Sequence, residues 1–143
     1  MSDVYARPMI EFLGQPKGFR KELEKLCEKH KASGILCEHG NPDLTPYHTT
    51  ERKVWRCAQT NPTRVCGVLS NPVWTEKDVT FEFRLWGPIS TQLDWLWTGG
   101  MHHGLSVRQI RDASGNVKKI GGIDMIAPDQ LDDYPDFIVE KLN

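Results

Sequence analysis

Four side chains of the kind that bind metal ions lie within a stretch of 30 residues, and this block constrains the fold more than any other feature. Thiolate and imidazole groups are preferred ligands of zinc, and four of them complete a closed tetrahedral structural site. Two ligands begin the block and two end it, so an ion bound by all four would staple its ends together. The block predicts a structural Zn²⁺ ion held by Cys37, His39, Cys57 and Cys66, with His48 as an alternative to His39.

The order of these ligands is similar to that of a known family. An aromatic residue, Trp55, stands just before the third ligand, and Trp74 follows the fourth. With these features, residues 37–74 resemble a GRF-type zinc finger, whose ligand order is Cys, then His or Cys, then two Cys. The resemblance implies a zinc-stabilised module that binds nucleic acid, most naturally a single strand.

The residues around the third ligand agree with that expectation. The chain carries a net charge of −1, yet residues 51–66 hold four Lys or Arg against one Glu. Basic side chains neutralise phosphates, and an exposed aromatic ring offers a stacking surface for bases. Trp55 is either such a surface or a core residue. The predicted nucleic-acid-binding residues are Arg52, Lys53, Trp55, Arg56 and Arg64.

Composition indicates a soluble globular protein. Hydrophobic residues make up 38% and charged residues 26% of 143 residues, which suits a single domain. No apolar run approaches the roughly 20 residues needed to cross a bilayer, and the N-terminus lacks a signal-peptide core. We therefore expect no membrane contact and an intracellular protein with reduced cysteines, although two disulfides are an alternative in an oxidising compartment.

Periodicity divides the chain into regions. Residues 16–32 have the apolar spacing of an amphipathic helix, whereas residues 53–58 and 64–69 read as two short strands around Asn61-Pro62. Strict alternation predicts a strand over 78–86, and residues 104–112 and 116–126 form a hairpin pattern around Gly115. Residues 90–97 fit a short helix. The predicted fold is α+β: one domain over 1–143, with a principal N-terminal helix (16–32), a zinc-stapled β-hairpin within 37–74, an antiparallel β-rich core (78–126) and an acidic tail (128–143).

Two other regions suggest different functions. His102 and His103 are adjacent in a glycine-flanked loop, and a histidine there is a candidate general base of a small hydrolytic enzyme. Trp86, Trp95 and Trp97 cluster nearby, and large aromatic surfaces also serve protein interfaces. An enzyme using the His102/His103 loop and a protein that binds a partner through these tryptophans are therefore the alternatives to nucleic-acid binding.

Overall fold

The computed structural model describes residues 3–127 and the backbone of residues 137 and 138. In chain order the elements are β1 (Met9–Glu11), α1 (Phe19–Lys29), β2 (Ile35–His39), α2 (Thr50–Cys57), a 3₁₀ turn (Pro62–Arg64), β3 (Val65–Trp74), β4 (Asp78–Leu85), α3 (Ser90–Thr98), β5 (Gly104–Arg111), β6 (Val117–Ile126) and β7 (Phe137–Ile138). Helices α1, α2 and α3 accompany one sheet of which several strands follow each other directly, so the α+β prediction is confirmed. The predicted acidic tail (128–143) lies outside the described residues, apart from the two of β7.

The described strands form a single mixed sheet. Their order is β1-β4-β3-β2-β6-β5-β7. Neighbours are antiparallel except for two pairs, β2 with β6 and β5 with β7, which run parallel. The predicted antiparallel sheet is therefore present only in part, because these two pairs run parallel. The parallel pair β2–β6 matters most, because it joins an antiparallel half (β1, β4, β3, β2) to a second half (β6, β5, β7).

The regular elements that the sequence predicted are mostly present. Helix α1 buries Phe19, Leu23 and Leu26, which recur at helical spacing and pack on the sheet. Strand β4 alternates as expected, with Val79 and Phe81 buried between half-exposed neighbours. The hairpin of β5 and β6 and the short helix α3 are also confirmed.

Residues 53–58 differ from the prediction. Residues 53–57 belong to helix α2 and Ala58 caps its C-terminal end, so the predicted β-hairpin between Cys57 and Cys66 is wrong. Thr49 caps the helix, since its hydroxyl oxygen accepts a hydrogen bond from the Arg52 backbone N–H at 3.2 Å. The structure also has α3 in addition to α1, so the helical content is not confined to the N-terminal region.

Within the described residues, none of the helices combines the length and the apolarity that a membrane crossing would need.

Candidate functional site

The inner face of α2 packs against a group of buried charged residues in the sheet. Glu38 lies on β2, Asp124 on β6 and Arg108 on β5, and all three are fully buried. Glu38 and Asp124 are direct neighbours in the parallel β2–β6 pairing. Arg56 reaches them from α2 and Arg64 from the 3₁₀ turn. We call this set the buried charge cluster: Glu38, Arg56, Arg64, Arg108 and Asp124.

Ion pairs within the buried charge cluster attach α2 to the sheet. The Arg56 guanidinium donates two hydrogen bonds to Glu38, at 2.8 Å to Oε1 and 3.2 Å to Oε2. Arg108 Nε lies 3.1 Å from Asp124 Oδ2, while Arg108 Nη1 donates to the carbonyl oxygen of Cys57 at 2.9 Å. Bidentate arginine–carboxylate pairs combine strength with a fixed geometry. The end of α2 is therefore held in one orientation.

Asp124 is the incompletely satisfied member of the cluster. Neither of its carboxylate oxygens accepts a hydrogen bond from any described residue, and the neighbouring Ser106 hydroxyl also has none. Burial raises the pKa of Asp124 to about 7; Arg108 opposes this effect and Glu38 adds to it. A carboxyl group in such a site binds a proton near neutral pH, because desolvation disfavours its charged form.

Next to this cluster, two histidines distant in sequence meet at one end of the sheet. His39 is the last residue of β2 and His103 immediately precedes β5, so both lie at the end of β6. Their Nε2 atoms are 3.0 Å apart. Trp97 Nε1 donates a hydrogen bond to His103 Nδ1 at 2.8 Å. The structure thus unites His39, predicted as a zinc ligand, with His103, predicted as a catalytic base.

The tryptophan fixes the tautomer of the histidine pair. Because an indole N–H only donates, Nδ1 of His103 carries a lone pair and Nε2 of the neutral ring carries the hydrogen. That hydrogen points to Nε2 of His39, which accepts it. Burial, with a contribution from the Arg64 cation, lowers the pKa of His39, so the neutral form prevails at pH 7. The arrangement is a short hydrogen-bonded chain from Trp97 through His103 to His39.

The four predicted zinc ligands occupy three different environments. Cys37 and Cys66 are neighbours in the main core, where the Cys66 thiol lies 3.5 Å from the Cys37 carbonyl oxygen. Cys57 is buried in a smaller core beneath α2 with Ile110. His39 turns its Nε2 to His103. His48, the alternative ligand, is exposed.

Protonation of the thiols agrees with this separation. Burial raises the pKa of Cys57 and Cys66 to about 12 and that of Cys37 well above its ordinary value. Zinc binds the thiolate form. Among residues 3–127, no group of three or more His, Cys, Asp or Glu side chains has the arrangement of a metal site. Zinc binding stays a prediction, without the hairpin that was expected to carry it.

The five predicted nucleic-acid-binding residues divide into two groups. Arg56 and Arg64 face inward: Arg56 pairs with Glu38, and Arg64 Nη2 donates to the carbonyl oxygens of His39, Gly40 and Asn41 at 2.9–3.2 Å. Arg52 and Trp55 are exposed on the outer side of α2, Trp55 by 50%, whereas Lys53 is half-buried. The Arg52 guanidinium lies 5.4 Å from the centre of the Trp55 ring. We call Arg52 and Trp55 the α2 outer face.

The three clustered tryptophans have different surroundings. Trp95 is 74% exposed, and Trp86 is also exposed. Trp97 is half-buried and stacks on His102, with ring centres 5.2 Å apart. His102 itself is exposed and does not join the histidine pair. A protein partner at Trp86, Trp95 and Trp97 stays a prediction.

Sequence reasoning missed Glu38, Arg108 and Asp124. A signal was present, since each is a lone charge inside an apolar strand segment: Ile35–His39, Leu105–Ile110 and Ile123–Ile126. Buried charges of this kind require partners. Their partners come from other strands and from α2, which no local pattern in the sequence identifies.

Comparisons of this chain with protein-family models, with curated proteins and with solved structures found no match.

Proposed function

We propose that this protein binds single-stranded nucleic acid through the α2 outer face, with a base stacked on Trp55 and phosphates at Arg52 and at the neighbouring, half-buried Lys53. The observation that carries the proposal is the half-exposed indole of Trp55 with the Arg52 guanidinium beside it. Exposure of an indole ring to water is unfavourable. A base that stacks on the ring removes it from water, and this favours binding. Because every base has a π face, the proposed binding tolerates different sequences.

The attachment of α2 to the sheet supports the same proposal. Arg56 and Glu38 hold the inner side of the helix while Arg52 and Trp55 point outward. A binding surface on a fixed helix loses little conformational entropy when a ligand arrives. Arg56 thus serves binding indirectly, by holding the helix that carries the contact residues.

Fluorescence anisotropy with a labelled single-stranded oligonucleotide tests the proposal. Trp55→Ala is expected to weaken binding by about 1–3 kcal/mol, the usual contribution of one stacked base. Arg52→Gln is expected to weaken binding and to reduce its salt dependence, because one phosphate contact is lost. Trp95→Ala, which removes another exposed tryptophan, and Lys77→Gln, which removes another exposed cation, serve as matched controls.

Equal losses of binding in Trp55→Ala and Trp95→Ala would exclude α2 as the binding surface. An oligonucleotide that fails to bind wild-type protein even at about 50 mM salt, where phosphate contacts are strong, would remove the proposed function altogether.

Zinc is a separate part of the proposal. The predicted ion at Cys37, His39, Cys57 and Cys66 would stabilise the front half of the chain, whereas the α2 outer face is also held by Arg56. Elemental analysis of the purified protein tests the ion directly. About one zinc per chain, lost in Cys57→Ser, supports the prediction; no zinc in protein purified without chelator contradicts it and leaves the binding proposal standing.

A second candidate function is hydrolysis at the histidine pair, and the hydrogen-bonded chain from Trp97 to His103 and His39 favours it. In this arrangement His39 Nε2 accepts from His103, so the two rings must separate before the neutral His39 imidazole can accept a proton from water at Nε2. Assays with p-nitrophenyl esters and a p-nitrophenyl phosphodiester test this function. Activity that is lost in His39→Gln and His103→Gln and kept in His102→Gln supports it, whereas equal activity in all three variants excludes it.

A further inference from the structure

A groove with a strongly basic mouth lies between α1 and β6, apart from the α2 outer face and the histidine pair. Its volume is about 420 Å³. Lys25 and Lys29 line it from α1, and Lys118 and Lys119 line it from β6. Glu22 is the one acidic residue among its lining. Four lysines that converge on one groove create a positive potential that attracts anions.

Two of these lysines have partners and two do not. Lys25 Nζ lies 3.0 Å from Glu22 Oε2, and Lys118 Nζ lies 3.4 Å from Asp112 Oδ2. Lys29 and Lys119 are exposed, and neither forms an ion pair with a described residue. The mouth of the groove therefore holds two uncompensated ammonium groups, one on each wall.

The groove continues into an apolar inner end. A second cavity of about 340 Å³ shares Leu26, His30, Thr60 and Gly121 with the first. Ile35 and Leu36 extend its lining, and no acidic residue does. Burial lowers the pKa of His30, and Lys29 adds to this effect, so its imidazole is neutral at pH 7 and available for hydrogen bonding. Cavities of about 300–1,000 Å³ with an apolar lining and a few polar groups are typical of small-molecule sites.

From this geometry we propose that the groove binds a small phosphorylated molecule of the nucleotide class. Its phosphates lie between Lys29 and Lys119, and its ring system lies against Leu26 beside His30 and Thr60. Phosphate suits a lysine pair, because an ammonium group is a compact point charge that approaches it from either side. A heterocyclic ring suits an apolar floor that also offers a hydroxyl and an imidazole. This proposal does not depend on Trp55 or on nucleic-acid binding.

Isothermal titration of the full-length protein with ADP, GDP, CDP and UDP tests the proposal, with inorganic pyrophosphate as the probe for phosphate alone. We expect at least one nucleoside diphosphate to bind more tightly than pyrophosphate and to bind more weakly as salt rises. The double variant Lys29→Gln/Lys119→Gln is expected to lose about tenfold or more in affinity, as charge-assisted hydrogen bonds are removed.

The matched control is Lys21→Gln/Lys77→Gln, which removes the same charge from exposed positions outside the groove. All four lysines are exposed, so both double variants are expected to fold, and urea unfolding confirms this. Equal affinities in the two double variants would overturn the proposal. So would a failure of every diphosphate to bind, or a preference for pyrophosphate, which would leave the apolar end without a role.

Trp55→Ala separates this site from the proposed nucleic-acid surface. Nucleotide affinity is expected to stay unchanged in Trp55→Ala while oligonucleotide affinity falls. A fall of both affinities in Trp55→Ala would show that the groove is not an independent site, whereas a fall of oligonucleotide affinity alone supports both proposals.

Discussion

At the scale of single residues, Glu38 is the centre of the charged interior. Its carboxylate accepts hydrogen bonds from Arg56 and from the backbone N–H of Asn61, and Arg64 and Arg108 lie within 4 Å of it. A buried carboxylate with such partners does not by itself add much stability, since desolvation offsets the attraction. Removing it, however, leaves several cations without compensation. The free energy of unfolding therefore depends strongly on Glu38.

The first prediction concerns the removal of that charge. Glu38→Gln is expected to lower the free energy of unfolding by about 3–5 kcal/mol, because Arg56 would remain buried without its counter-charge and Arg108 would keep only Asp124. Urea denaturation measures the change. Glu76→Gln, at an exposed position, is the control and is expected to stay within about 0.5 kcal/mol of wild type. A loss below about 1 kcal/mol in Glu38→Gln would contradict a structural role for the ion pairs.

The second prediction concerns pH and Asp124. Its pKa is about 7 in the folded protein and about 3.9 in an unfolded chain, so the folded state binds more protons between these values. Its contribution to stability is present in full below the unfolded pKa and is lost as pH rises through the folded one. The free energy of unfolding of wild type, relative to Asp124→Asn, should therefore fall by up to about 1.4 kcal/mol per pH unit over this range.

Urea denaturation of both proteins measures this difference. The pH range, from about 4.5 to about 7.5, spans the ordinary pKa of histidine. His39, whose pKa is lowered by burial, changes stability in the opposite direction, since its contribution is lost as pH falls. Both proteins contain His39, so its effect cancels in the comparison. A difference that is flat or that increases with pH would show that Asp124 is ionised throughout.

At the scale of elements, the predictable parts are those in which one local pattern dominates. The alternation over Val79–Leu85 specifies β4, and the 3–4 spacing of Phe19, Leu23 and Leu26 specifies α1. In residues 53–58, Val54 and Trp55 favoured a strand, although Thr49 followed by Glu51 is a helix-start signal. Eight residues are too few for periodicity to decide, so tertiary contacts of Arg56 and Cys57 determine the helix.

The third prediction tests how closely the end of α2 packs against β6. Gly121 on β6 lies so close to the end of α2 that an added Cβ would meet the Cys57 carbonyl oxygen. Gly121→Ala must displace the helix or the strand, and we expect a loss of about 1–3 kcal/mol in the free energy of unfolding. The displacement should also weaken oligonucleotide binding. Thermal or urea unfolding, together with anisotropy, measures both effects.

Gly99→Ala is the matched control for this substitution. Gly99 has a φ of −78° and its added Cβ would approach no atom closer than 3.5 Å, so alanine fits there without strain. If Gly121→Ala and Gly99→Ala lower the free energy of unfolding by comparable amounts, the close approach of α2 to β6 does not destabilise the Gly121 variant.

At the scale of the whole molecule, the seam between β2 and β6 is the feature that sequence could not reveal. It joins the antiparallel half to the second half of the sheet, and only Glu38–Asp124 and His39–Met125 are in register across it. Parallel pairing of segments so distant along the chain leaves no local signature. The seam also explains the site, because it brings two carboxylates side by side and places His39 next to His103. The arginines of the buried charge cluster offset the repulsion between these two carboxylates.

The last prediction follows from the position of Arg108 at that seam. Its guanidinium is within 3.8 Å of Glu38 Oε2 and within 3.1 Å of Asp124 Oδ2, so it bridges the two halves. Arg108→Gln leaves the carboxylates facing each other, and local opening should begin there. In hydrogen exchange followed by NMR, the Gly40 amide, which donates to the Met125 carbonyl oxygen, is expected to lose more protection than amides of the β3–β4 ladder.

Arg111→Gln, on the same strand but bonded only to the Gln109 side chain among described residues, is the control and should leave seam protection unchanged. If Arg108→Gln alone does not fold, the double variant Asp124→Asn/Arg108→Gln removes both members of that ion pair and should recover part of the stability, because an uncompensated charge costs more than a missing pair. Equal loss of protection at the seam and in the β3–β4 ladder would mean that the sheet opens as one unit and that Arg108 does not join its halves.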